Sequence, residues 1–186
     1  MESVSVFAKH KTLSVMLTYR CTAECADCGT FSTPRDRYRI SLESAISAID
    51  QAAALGFTNV VFTGGEATIE WDSLLAGIRH AHRKGLPTRL VTNGHWATST
   101  AEAGRCAGLI SDSGLTEINF SSGDEHLKFI DQDTLVRAIV AALECGIRTT
   151  LVFERREQPK VPLSAILLAI RRDADPAALE KLFDFR

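Results

Sequence analysis

The chain has 186 residues, 45% apolar and 24% charged, which suits one globular domain with a core of its own. A formal net charge of −2 gives no electrostatic case for nucleic acid, and short clusters such as Arg83-Lys84, Arg155-Arg156 and Arg171-Arg172 read as solvated faces. No apolar run reaches the roughly 18 residues of a membrane span. The N-terminus lacks a signal-peptide pattern, and an odd count of five cysteines points to a reducing, cytoplasmic interior and a metal rather than disulfides.

In chain order, residues 1–11 read as an N-terminal extension and Lys11 to Thr18 as the first buried strand. That strand delivers the chain to Cys21, Cys25 and Cys28, and a polar loop from Gly29 to Arg39 follows. Ser41 predicts an N-cap, Leu42, Ala45, Ile46, Ile49 and Ala53 share a helical face, and Gly56 closes the helix. Asn59 to Thr63 predicts a strand ending at Gly64-Gly65, followed by a helix carrying Leu74, Leu75, Ile78 and Ala81 up to Gly85. Thr88 to Thr92 is a third strand, ending at Asn93-Gly94, and Ser99 with Glu102 forms a capping box. Glu117 to Ser121 is a fourth strand, Asp133 is expected to cap a helix closed by Gly146, and Thr149 to Phe153 is a fifth strand. Pro162 opens a helix through Arg172, and Asp175-Pro176 starts another. No sixth strand is legible before Arg186.

Strands alternating with amphipathic helices imply βα units and a parallel sheet. Right-handed crossovers bring every strand's C-terminal end to one edge, where such sheets bind ligands. The polar and glycine-rich signals collect there: the cysteine loop, Gly64-Gly65-Glu66, Asn93-Gly94, Ser121-Ser122-Gly123-Asp124 and Glu154-Arg155.

Three cysteines at C-x3-C-x2-C carry the chemistry. A closed zinc site wants four ligands, whereas a cubane cluster on three thiolates leaves one iron open. His10, His80, His82, His95, His126, Cys106 or Cys145 are available as a fourth ligand, so the cysteines alone leave zinc and iron–sulfur both standing. The glycine pair lets a backbone come close to a ligand. With Glu66 beside it, that turn suits an ammonium group, although an ordinary tight turn reads the same way.

Taken together, Cys21, Cys25 and Cys28 after the first strand and Gly64-Gly65-Glu66 after the second resemble the radical S-adenosylmethionine (SAM) superfamily, over roughly residues 12–155. The resemblance implies an α/β fold, a partial (βα)6-type barrel of parallel strands lacking its last strand, with residues 12–186 as the core domain. An edge left open would mean either a truncated chain or a partner, such as a second copy, covering it. It further implies a [4Fe–4S] cluster on the three cysteines and SAM on the open iron, its amino group held by Gly64, Gly65 and Glu66. Ser121, Ser122 and Asp124, with Glu154 or Arg155, would hold the ribose and carboxylate.

The implied reaction is reductive cleavage of SAM to a 5′-deoxyadenosyl radical that abstracts hydrogen from a peptide or small-molecule substrate. A reductant such as flavodoxin or ferredoxin would feed it. Ser122 to His126 resembles a stretch of peptide-modifying members, with His126 a candidate for handling substrate or protons. A glycyl-radical activase, a nucleoside-modifying enzyme, or a noncatalytic zinc or iron–sulfur module are the alternatives. One position departs from the family: Asp27 stands where an aromatic ring usually packs on the adenine, leaving Tyr19 or Phe31 to supply it.

Overall fold

The computed structural model describes residues 11–154 and 156–185. The expectations placed on His10, on Arg155 and on most of the N-terminal extension lie outside the described residues. Among those described, no helix is long and apolar enough to cross a membrane.

Twelve α-helices and β-strands of the described residues alternate almost without exception: β1 (Thr12–Met16), α1 (Leu42–Ala54), β2 (Asn59–Thr63), α2 (Trp71–Arg83), β3 (Thr88–Thr92), α3 (Thr100–Asp112), β4 (Glu117–Ser122), α4 (Gln132–Glu144), β5 (Arg148–Phe153), α5 (Leu163–Asp173), α6 (Pro176–Leu182) and β6 (Phe183–Phe185). The strands form one open parallel sheet in sequence order, β1 to β6.

Helix boundaries follow from local chemistry. Ser41, Ser99 and Asp175 each accept a backbone N–H from the first turn, at 3.0, 3.2 and 3.0 Å. Ser99 makes only half of a capping box, because Glu102 turns to Arg105. The cap of α4 is Asp131 rather than Asp133, accepting from Thr134 N–H at 2.8 Å and Thr134 Oγ1 at 2.7 Å.

The second correction concerns the sheet edge. A sixth strand exists: Phe183, Asp184 and Phe185 pair in parallel with Thr149, Thr150 and Leu151, so β5 is not left open. At three residues abutting α6, it is too short to show the alternation by which a strand is recognised.

Strand alternation separates two faces. Val60, Phe62, Leu90, Ile118, Phe120 and Leu151 are fully buried under the helices, with Leu74, Ile78, Ile110, Leu135 and Ile139 opposite them. The alternate residues, among them Ser14, Thr63, Arg89, Glu117, Asn119, Ser121 and Thr150, line the concave face. The sheet is therefore greasy on its outer side and polar inside.

Candidate functional site

A cavity at the C-terminal ends of the strands is lined by Cys21, Cys25 and Cys28 on one side and by Gly64, Gly65 and Glu66 on another. Asn93, Ser121, Asp27 and His126 complete the parts of its wall that matter here.

The glycine turn is built for the chain's own backbone. A Cβ on Gly64 would strike the Thr18 carbonyl oxygen, and one on Gly65 would strike the carbonyl oxygens of Tyr19 and Arg20. Gly64 also sits at φ +139°, a conformation that side-chain-bearing residues rarely adopt. With no Cβ in the way, Gly65 N–H donates to Thr18 O and Glu66 N–H to Arg20 O, both at 2.8 Å. The glycines thus seat the segment leading into Cys21 directly on the end of β2.

Glu66 is buried, and its carboxylate is the hub of the floor. Oε1 accepts from Thr68 N–H at 3.2 Å, Thr68 Oγ1 at 2.7 Å and Thr92 Oγ1 at 2.9 Å, while Oε2 accepts from Asn93 N–H at 2.8 Å. A buried charge is tolerable when it is hydrogen-bonded this fully. Asn93, which reads as a turn residue in the sequence, reaches across: its Nδ2 donates to Thr22 Oγ1 at 2.9 Å and lies 3.9 Å from Cys21 Sγ. The floor of the second and third strand ends is thereby wired to the cysteine loop.

The three thiols differ. Burial pushes Cys21 up, aided by the Glu66 and Cys28 charges. Burial likewise pushes Cys25 up to about 11, with Cys21, Asp27, Cys28 and Glu125 adding to it. Cys28 also feels burial, but the Thr30 hydroxyl and the N–H groups of Ser32, Thr30 and Phe31 outweigh it and lower the thiol. Cys21 feels Cys28, and Cys25 feels both of the others, yet no group of three or more His, Cys, Asp or Glu among the described residues forms a single-ion site. Zinc needs all its ligands within about 2.3 Å of one point. A cubane takes each thiolate on a different iron and leaves its fourth iron open, so three thiols lining one cavity match its ligand count.

Ser121 lines the cavity, but Ser122 does not. Strand alternation puts Ser122 on the face of Ile118 and Phe120, where its hydroxyl is buried without a partner. Asp124 is also turned elsewhere: its carboxylate accepts from the N–H groups of Lys160 and Val161 at 3.0 and 3.1 Å, and those contacts hold it below the usual carboxylate range. His126 is in the wall, with Nδ1 buried and unpartnered. Burial lowers its pKa against the opposing pull of Asp27, Glu154, Glu66 and Glu125. Neither Tyr19 nor Phe31 lines the cavity; Tyr19 packs edge-on against Tyr38 at 5.7 Å, and Phe31 is exposed. His80, His82, His95, Cys106 and Cys145 are likewise outside it.

Residues with no motif of their own join the site. Glu125, buried beside Asp124, accepts the Ala26 N–H inside the cysteine loop at 3.2 Å. Arg156 is no free solvated charge: it pairs with Glu154 and reaches Asp27 at 3.4 Å and Glu125 at 3.5 Å. Proximity in sequence to Asp124 and Glu154 was the signal available for both.

An open parallel βα sheet with three thiols after β1 and a Gly-Gly-Glu turn after β2, around one mouth, defines the class of radical SAM cores. The Radical SAM superfamily model matches residues 15–153, and the chain belongs to that superfamily. Methylornithine synthase PylB superposes with a TM-score of 0.60 at 16% identity, over 77% of this chain and 44% of that one. SuiB of Streptococcus suis, solved with S-adenosylmethionine bound, gives 0.51 at 15% identity over 94% and 49% of the two chains. Identities this low speak for the fold alone. A Caenorhabditis elegans protein provisionally named a pyridoxal kinase is 25% identical over 150 residues, 72% of this chain and 46% of that protein. The chain thus spans about half the length of these relatives.

Proposed function

We propose that this chain reductively cleaves SAM at a [4Fe–4S] cluster held by Cys21, Cys25 and Cys28. The observation that carries the reading is that three thiols line one cavity together with a glycine turn and a buried acid. When bound, the cluster supplies the electron that breaks the S–C5′ bond of SAM, leaving a carbon radical to take a hydrogen atom from substrate.

The chain's own residues bind and orient. The free sides of Gly64 and Gly65 offer backbone to the SAM ammonium, and Glu66 adds negative charge while its four hydrogen bonds fix the floor. Ser121 faces the cavity to meet the ribose or carboxylate. His126, its ring shifted toward the neutral form by burial, lines the cavity where SAM or substrate would sit. The polar concave face below suits a peptide or small polar metabolite, and a one-electron donor of the flavodoxin or ferredoxin kind would serve as reductant.

Anaerobic reconstitution with iron and sulfide tests the reading. A brown protein that releases 5′-deoxyadenosine from SAM on reduction is expected, with Cys25→Ala abolishing the release. A colourless protein carrying one zinc per chain, or a cluster indifferent to SAM, would overturn it.

A further inference from the structure

The Cys25–Cys28 segment has little holding it from within. Its one internal bond runs from Cys28 N–H to Cys25 O at 3.2 Å. The Ala26 N–H between them points out of the loop and is taken by Glu125 Oε2 at 3.2 Å, a partner 99 positions away in sequence. Glu125 is only 6% exposed, and its other oxygen faces Lys128 and the Arg156 guanidinium. Its own N–H donates to Glu154 Oε2 at 3.2 Å, which joins the end of β4 to the end of β5. Arg156 then extends the connection from Glu154 back to Asp27, again inside the cysteine loop.

We infer that Glu125 is a positioning residue for the cysteine loop, tying the Cys25–Cys28 segment to the ends of β4 and β5, with Arg156 and Asp27 as a second leg of the same tether. The inference rests on the proposed function for what the loop holds, but the tether itself is a property of the protein alone. The two legs differ in strength. The side chains of Arg156 and Asp27 are 41% and 47% exposed, so water screens that pair and it contributes little. The Glu125 side chain is 8% exposed, and its bond to Ala26 is charge-assisted and sheltered. Lys128 and the Ala26 N–H keep that carboxyl below the usual carboxylate range, so it is an acceptor on both oxygens at neutral pH.

Asp27 belongs to the same arrangement: the residue lines the cavity, and its carboxylate meets Arg156 at 3.4 Å. The loop is thus held by charge and hydrogen bonds from the far side of the mouth.

Amide hydrogen exchange over the peptide containing Ala26 tests the tether without a cluster. Glu125→Ala should speed exchange there about tenfold, the scale of losing one hydrogen bond to a charged group. Glu125→Gln, which retains an acceptor, should stay within about threefold of the parent protein. Arg156→Ala lies on the exposed leg, keeps the core intact, and should raise exchange about threefold. Wild-type exchange in Glu125→Ala, or in Arg156→Ala if the first variant does not fold, overturns the tether.

The reconstituted protein supplies the second arm. Glu125→Ala should lose iron to a chelator several times faster than the parent, with Glu125→Gln restoring retention. Equal rates in parent and Glu125→Ala overturn the positioning role. A parent protein that takes up no cluster at all would instead strike down the proposed function, and the exchange result would still stand or fall alone.

Discussion

Alternate residues of the same six strands build two faces with opposite bookkeeping. Outward, Phe62, Leu90, Ile118, Phe120 and Leu151 are fully buried, and Phe62 sits so close to α2 that a Cβ on Gly77 would come within 2.8 Å of its ring. Inward, Asn119 Oδ1 and Thr150 Oγ1, level with each other on β4 and β5, are buried with no hydrogen-bond partner. Buried polar groups are normally satisfied. Filling the same positions with Val or Leu would invite the concave face to collapse onto itself. The outer face supplies the free energy of folding, and the inner face is kept polar at its expense.

Opposite substitutions on the two faces give the sharpest test. Phe62→Ala should cost about 3–5 kcal/mol by the transfer and cavity terms together, most of a typical domain's margin. Asn119→Ala, one pleat away from the outer core, should fall within about 1 kcal/mol of neutral, because it removes an acceptor that has no partner. Denaturant midpoints measure both, and similar losses would break the distinction.

The mouth, where the faces meet, comes next. Gly65→Ala should destabilise by about 1–3 kcal/mol, the scale of a forced local shift. It should also loosen the cysteine loop, visible as faster exchange of the Glu66 amide that donates to Arg20 O. An alanine there with parent stability and exchange would mean that the turn had room to spare.

A smaller effect than at the mouth is expected away from both faces, at the cap of α4. Asp131→Ala should cost about 1 kcal/mol. The Thr134 hydroxyl, with its N–H, lowers the Asp131 carboxyl from its ordinary value of 3.8. A depressed folded-state value means that the cap's contribution is present above the unfolded-state value and is lost as pH falls through the folded one. The stability difference between parent and variant should therefore shrink below about pH 4. A gap unchanged down to pH 2 would show that the carboxylate's charge is not what caps the helix.

Most of the architecture was legible because βα units announce themselves by period. β2 and β3 fall on the expected residues, and β1, β4 and β5 within a few of them. β6 was not, because Phe-Asp-Phe following directly on a helix offers no period and no turn to mark it. In the site, the cysteines and the glycine pair were legible, but the packing of the glycines' Cβ sides was not. One side of each glycine is closed by the backbone of Thr18, Tyr19 and Arg20, and both glycines also line the cavity. Ser122 and Asp124 share a sequence neighbourhood with Ser121 but not its direction. Glu125 and Arg156 belong to the site through contacts spanning 99 and 129 positions, which no local pattern encodes.

The two bonds from Gly65 and Glu66 to Thr18 and Arg20 give Cys21 the same reference frame as the sheet itself. From Leu17 to Cys21 the chain is held on two sides: Leu17 N–H donates to Thr63 O at the end of β2, while Tyr19 N–H and Cys21 N–H donate to Tyr38 O and Thr33 O. Beyond Cys28 the path to α1 meets that segment at Thr33, Tyr38, Arg39 and Ile40, whose N–H donates to Leu17 O at 3.0 Å. One extra residue between Leu17 and Cys21 would break this register and turn the first cysteine's sulfur away from the mouth.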